Sequence, residues 1–412
     1  MLKNYFKIAI AVLKRRKFFT FISLFGISLT LTILILIAAF FDHLFSAGYP
    51  DTKRDRSLYI NTIILQTKED WNETSPLSFH FLDHYVSKLR TPSKMAFSTG
   101  YKKTNTYVNN KKISITFKYT NDQYWDVLDY EFLEGKPYNK QQVDNGERVA
   151  VISEEARDKY FGKGAPVTGK YIEADNLRYR VSGVVKNVAA TFPHVYAEIY
   201  LPFTVAKTDL TADRSLTGSF TAILLANTKN DLSKIKEEYQ QMTSKIPLPG
   251  KQYIKMYTFA DNYFVGFIRN IYGQGKESGL DNFFMTLSIF IFLFLILPTL
   301  NLVNINISRI MERSSEIGVR KAFGASSRTL VLQFIVENII LTFLGGAIGV
   351  IISLVLIYLF NNSGIATGMH LAVNFTVLFY TILACLLFGI ISGVYPAWRM
   401  SRMQVVNALK AA

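Results

Sequence analysis

The chain is 412 residues long, 50% hydrophobic, with a formal net charge of +15 and one cysteine. That length accommodates two or three domains, and a lone cysteine excludes both an intrachain disulfide framework and a thiolate metal cluster. The positive excess is concentrated at 1–17, 304–334 and 395–412, beside long uncharged runs, as expected of the cytoplasmic flanks of membrane spans rather than a nucleic-acid surface.

Residues 1–17 place Tyr5, Phe6, Ile8, Ala9, Val12 and Leu13 at helical spacing among six Lys/Arg. This pattern predicts an amphipathic helix on the cytoplasmic surface. Residues 18–41 carry no charge and are long enough to cross a bilayer, and too long for the apolar stretch of a signal peptide. Residues 42–281 form a hydrophilic block large enough for its own core. Strands are expected at Lys112–Lys118, Arg148–Ile152, Leu177–Val188, Glu198–Leu201 and Phe220–Leu225. Helices are expected at Pro76–Leu89, Asp122–Leu128, Glu154–Phe161 and Leu232–Ile246. Mixed strands and helices of this kind suggest α+β layers.

A second uncharged run, 282–303, holds Pro298, which favours a kink. The polar stretch 304–334 follows. Glu316 and Arg320 stand four apart with the acid first, as on a helix face. Gly324 after Lys321 is a helix stop, and Ser326 or Ser327 offers the N-cap of a new helix. Residues 338–398 again lack Asp, Glu, Lys and Arg, and are broken near Asn361–Gly364 and Gly368 into spans at 335–360 and 372–394, with an external loop at 361–371. Gly345 and Gly349, and Gly389 and Gly393, have the GxxxG spacing that lets helices pack closely. Glu337 is either interfacial or an intramembrane acid. The fold expected is an α-helical membrane protein with four transmembrane helices and a large α+β extracytoplasmic domain between the first two, with the tail 395–412 in the cytoplasm.

Two patterns suggest chemistry weakly. Residues 164–170, GAPVTGK, match most of a phosphate-binding loop, but Tyr171 follows where a Ser or Thr is needed for Mg²⁺. A strand-connecting turn is the simpler reading. His80 and His84 lie four apart without an assignable third ligand, so surface histidines are expected rather than a metal site. No catalytic triad emerges, and no enzyme activity is expected of the chain itself.

The run ERSSEIGVRKAFGASSRTLVLQFIVENIILTFLGGAIG, with Glu312, Arg313, Glu316, Arg320, Lys321, Gly324, Gly345 and Gly349 in register, resembles the permease signature of the MacB, LolC/LolE and FtsX group of ABC transporters. The runs YWDVLDYEFLEGKPY and RVAVISEEARDKYFG resemble the periplasmic core domain of MacB-type permeases, here spanning 42–281. The resemblance implies that 304–334 docks on a cytoplasmic ABC ATPase subunit, which would bind ATP and Mg²⁺, and that this chain binds no cofactor. It also implies a homodimer or pairing with a related permease in the bacterial inner membrane, and a periplasmic adaptor with an outer-membrane channel. The function implied is export or release of substrate by mechanotransmission; the alternative is an FtsX-like regulator of a cell-wall hydrolase.

Overall fold

The computed structural model describes residues 10, 15, 17–108, 111–210, 212–273, 275–311, 319, 323, 326–365, 369–376, 378–383, 386–387, 390 and 394. In chain order the helices are α1 (Lys17–Phe45), α2 (Phe79–His84), α3 (Tyr124–Val127), α4 (Lys140–Asp144), α5 (Glu154–Phe161), α6 (Leu232–Thr243), α7 (Tyr263–Tyr272), α8 (Leu280–Met311) and α9 (Ser327–Asn362). The strands are β1 (Ser57–Ile60), β2 (Ile63–Thr67), β3 (Asn72–Ser75), β4 (Lys94–Thr99), β5 (Lys102–Val108), β6 (Lys111–Thr120), β7 (Phe132–Gly135), β8 (Val149–Ser153), β9 (Tyr171–Ala174), β10 (Leu177–Val185), β11 (Ile199–Pro202), β12 (Phe220–Leu225) and β13 (Tyr253–Thr258). They divide into two compact units, one of Met1–His43, Phe284–Gly364 and His370–Ala412, the other of Leu44–Phe283 with Ile365–Met369.

The second unit is α+β. Its large sheet runs β1-β12-β4-β6-β11-β8-β10-β7, with β5 paired to β6 and β9 to β10. The β6/β11 and β8/β10 pairs are parallel and the others antiparallel. A second sheet, β13-β2-β3, stands apart from it in pairing. Two apolar cores lie among its described residues. One gathers Leu58, Phe81, Leu82, Leu224, Ile235 and Tyr239 from β1, β12, α2 and α6. The other gathers Ile115, Ile152, Ala156, Val181 and Ile199 from β6, β8, α5, β10 and β11. The central strands β8 and β11 are buried along their whole length, as parallel-paired strands covered on both faces require.

Helix α2 starts at Phe79, three residues later than its apolar spacing suggests. Leu77 is paired with Phe220 through two backbone hydrogen bonds, so it cannot be helical, and Ser78 Oγ caps the helix by accepting from the Phe81 amide. Helix α5 matches its expected bounds because Ser153 caps it from the end of β8 and Glu154 and Glu155 occupy its first turn.

In the first unit, Lys17–Phe45 and Ile335–Asn362 are long and apolar enough to cross a membrane, and Leu280–Ile296 is a shorter apolar stretch. Helix α8 continues through Pro298 to Met311. Helix α9 is capped by Ser326, which accepts from the Thr329 amide, and extends two residues past the expected end of its span, to Asn362. Asn361 then closes the following loop, its side chain donating to and accepting from the backbone of Leu371, each at 2.9 Å.

Candidate functional site: a glycine helix seam and a buried arginine cluster

In the first unit, α1 and α9 meet along stripes of period four. The buried positions of α1 include Ser23, Ile27, Leu31, Ile35 and Ala39; those of α9 include Glu337, Leu341, Gly345, Gly349, Ser353 and Ile357. Rows spaced by four on both helices are the ridges that interdigitate in the commonest class of helix crossing. The two GxxxG glycines lie at the closest approach. A Cβ on Gly345 would stand 2.8 Å from Ile27 Cβ, and one on Gly349 2.8 Å from the Ser28 carbonyl oxygen. The single Thr32 Oγ1 proton is shared between the Ser28 carbonyl of its own helix at 2.7 Å and, across the seam, the Gly349 carbonyl at 3.1 Å, where Ser353 Oγ also donates at 2.7 Å. Contacts advance together, Leu24 and Ile27 with Gly345, then Ser28 and Leu31 with Gly349, so the helices run parallel. Small residues and interhelical hydrogen bonds supply the attraction that burial cannot provide between helices in lipid.

In the second unit, the chain leaving α1 is held by one buried arginine. Arg54 is 8% exposed and Asp51 3%. The guanidinium donates from Nε to Asp51 Oδ2 at 2.9 Å, and from Nη1 to the carbonyls of Leu44 and Ser46 at 3.2 and 2.8 Å. It lies over the Tyr263 ring, 3.8 Å from its centroid, a cation–π contact with the start of α7. Burial works against the charge on Arg54, but Asp51 more than offsets it, and the group is held more basic than usual. Asp51 also accepts from Tyr59 Oη at 2.6 Å. Burial, then the same carboxylate, pushes the Tyr59 hydroxyl far above its ordinary value. Within this unit, one guanidinium therefore holds the backbone of Leu44 and Ser46 beside Asp51 and the start of α7.

A ring stack adds to this. Phe45 meets Phe264 and Phe267 of α7 edge-on, with centroids 4.9 and 5.2 Å away. Phe264 and Tyr272 in turn contact Phe283, in the first turn of α8. The Asp261 backbone pairs with that of Tyr59 in both directions, and its side chain takes Arg269 Nε at 2.7 Å. Behind the junction, Lys118 is fully buried and donates to the carbonyls of Pro193 and His194 at 3.2 and 2.6 Å. Three tyrosine hydroxyls, of Tyr124, Tyr130 and Tyr200, converge on the next carbonyl, that of Val195. Burial lowers the Lys118 amine to about 7. Burial first, then Lys118 and Arg54, lower His194 to about 4.

The residues expected to dock an ATPase, Glu312, Arg313, Glu316, Arg320, Lys321 and Gly324, lie outside the described residues, as do Gly389 and Gly393. The 164–170 segment is a turn. The amides of Val167 and Thr168 donate to the Glu134 carboxylate, occupying donors that a phosphate would need. Burial raises that carboxyl, but these bonds more than offset it and hold it below its usual range. The rings of His80 and His84 stack at 5.1 Å, and among the described residues no group of three or more His, Cys, Asp or Glu is placed to hold a metal.

Two family models match in sequence order: the MacB-like periplasmic core domain over residues 20–242, and the FtsX-like permease C-terminal domain over residues 288–405. The chain belongs to the MacB-like, FtsX-like family of ABC transporter permeases. Relatives include a macrolide export ATP-binding/permease protein MacB of Yersinia pestis, 26% identical over 73% of this chain and 42% of that protein. The MacB of Escherichia coli is 25% identical over 86% of this chain and 53% of its own. The chain thus spans about half the length of the curated relatives it matches. A crystal structure of the periplasmic region of MacB from Actinobacillus actinomycetemcomitans is similar at 16% identity and a TM-score of 0.37, over 52% of this chain and 93% of that one. The sequence signals that marked this permease missed Asp51, Arg54, Tyr59 and Lys118. Asp51 and Arg54 stand in the run DTKRDR, which reads as a solvated charge cluster, and Lys118 continues a polar alternation; nothing local distinguishes a buried charge from an exposed one.

Proposed function

We propose that this chain is the permease of a MacB/LolE-like ABC system in a bacterial plasma membrane. It crosses four times with both termini in the cytoplasm, and pairs with a second copy or a related permease. ATP and Mg²⁺ are bound by an ATPase partner that docks on 304–334. Closure of that ATPase displaces the docking segment and the α9 helix that follows it. The parallel seam carries the displacement to α1, and the Arg54 junction passes it to the external domain, which exports or releases substrate on the outer side. An adaptor and outer-membrane channel would receive that substrate.

The observation that carries this reading is the Arg54 junction. A transmitting helix must not end in a pliable loop, and here the carbonyls of Leu44 and Ser46 are fixed by a guanidinium that is itself pinned by Asp51 and Tyr263. The test is co-reconstitution with the ATPase partner, comparing the chain with Gly324→Val, which places a β-branched residue at the inferred left-handed stop, and with Arg54→Leu. Both variants should insert and bind the ATPase. Gly324→Val should lose permease-dependent stimulation of hydrolysis, while Arg54→Leu should keep ATP turnover and lose substrate release. Wild-type release by both variants would refute the reading.

A further inference from the structure

Helix α6 has two working faces. Ile235 and Tyr239 enter the first core of the second unit, with Leu82 and Val86. Glu238, Met242, Lys245 and Ile246, spaced by three and four along α6 and the turn after it, instead line an open groove of about 340 Å³. Its other wall is Tyr85, Lys88 and Leu89, in and beside the single 3₁₀ turn Val86–Lys88. That volume falls in the range of small-molecule sites. The floor is apolar. Leu89 and Ile246 belong to the core itself, and Tyr85 and Met242 pack half-buried against its edge. The Tyr85 ring meets His84 edge-on at 4.8 Å, and a methionine adapts its shape to what it touches. The rim is cationic. Lys88 and Lys245 are exposed, and neither forms an ion pair among the described residues. Glu238, the carboxylate in the groove, is already committed to the wall, accepting from the amides of Arg90 and Thr91 at 2.7 and 3.0 Å.

We propose that this groove binds a small anionic amphiphile, with its alkyl chain on the apolar floor and its anionic head at Lys88 and Lys245. A purely polar anion would leave the floor wet, and a neutral hydrocarbon would leave both lysines unused. The walls are helical and offer no strand edge for an extended peptide to pair with, which favours a small molecule over a protein segment. The site does not depend on the ATPase coupling proposed above.

The test uses the full-length protein in nanodiscs of zwitterionic lipid and dodecanoate carrying a photoreactive diazirine, with labelled peptides mapped by mass spectrometry. Labelling of the apolar spans by probe dissolved in the lipid serves as the internal reference. Peptides holding Tyr85–Leu89 and Glu238–Ile246 should be labelled saturably. Unlabelled dodecanoate should compete, while acetate, which lacks the chain, and dodecanol, which lacks the charge, should not. Lys88→Gln combined with Lys245→Gln leaves the core untouched and should weaken groove labelling by about three- to thirtyfold, the scale of two exposed ion pairs. Lys102→Gln combined with Lys103→Gln, which removes the same charge from β5, should label as the unsubstituted protein. The proposal is overturned if groove labelling does not saturate, if dodecanol competes as well as dodecanoate, or if the two double variants behave alike. It is also overturned, in favour of a protein partner, if an acidic amphipathic peptide displaces the probe and unlabelled dodecanoate does not.

Discussion

Removing the Arg54 guanidinium would strand Asp51, which is buried and otherwise meets only the Tyr59 hydroxyl among its described partners. Breaking a buried ion pair from one side costs about 3–5 kcal/mol, mostly from the charge left behind. Arg54→Leu should therefore destabilise the external domain by that amount, and Asp51→Asn in the same chain should recover part of the loss. Denaturation followed through Trp125, which sits among Tyr124, Tyr130, Tyr138 and Tyr200, reads this directly. Lys118 makes a second residue-scale prediction. Its folded value of about 7 lies below the ordinary 10.5, so between these pH values the unfolded chain holds a proton that the folded chain has lost. Stability should rise from pH 7 towards 10.5, by at most about 1.4 kcal/mol per pH unit, and this contribution should be flat below 7. His194, lowered to about 4 from 6.5, adds a rise between those two values by the same sign. In Lys118→Met the upper rise should vanish, and the Trp125 unfolding midpoint measured at pH 7, 8 and 9 checks it.

Glycine identity along α9 is graded by what a methyl group would meet. At Gly346 an added Cβ finds only Leu31 Cδ2 at 3.8 Å, an ordinary contact; at Gly349 it finds a backbone carbonyl oxygen at 2.8 Å. Gly346→Ala should be tolerated. Gly349→Ala should push the helices apart, cost about 1–3 kcal/mol as overpacking does, and slow disulfide formation between Thr32→Cys and Ser353→Cys. Such elements were legible in the sequence to unequal degrees, for physical reasons. Strand β12 and helix α5 coincide with their expected bounds because an apolar run and a capped, acid-led turn are local signals. Strands β3 (NETS) and β5 (KKTNTYV) carry no such signal; they exist because β2 and β6 offer them a ladder. Helix α7 is capped by Asn262 and packs its aromatic face on Phe45, but in sequence an apolar stretch just before a span blends into the span.

For the molecule as a whole, the family was legible from the run around 312–349 and two runs of the 42–281 block, whereas the cluster around Arg54 was not. Its members are distant in sequence, Leu44 to Tyr263, and are brought together only by the complete fold. The parallel α1/α9 seam puts the N-termini of both helices at the same end, and basic residues precede each in the sequence, the arrangement the positive-inside rule expects of two spans entering from the cytoplasm. In the Cys385→Ser background, a cysteine at Ser46 should react with an impermeant thiol reagent in intact spheroplasts, and one at Ser327 only after the membrane is opened. The central claim, that displacement at 304–334 reaches the external domain through α1 and Arg54, is tested most directly by hydrogen exchange on the reconstituted complex, comparing the nucleotide-free state with an ATP-trapped state. Exchange should change together in 304–334, in the segment from Leu44 to Arg54 and in α7, and in Arg54→Leu the change in α7 should be lost while that in 304–334 remains. A nucleotide-dependent change confined to 304–334 in the unsubstituted protein would contradict the account.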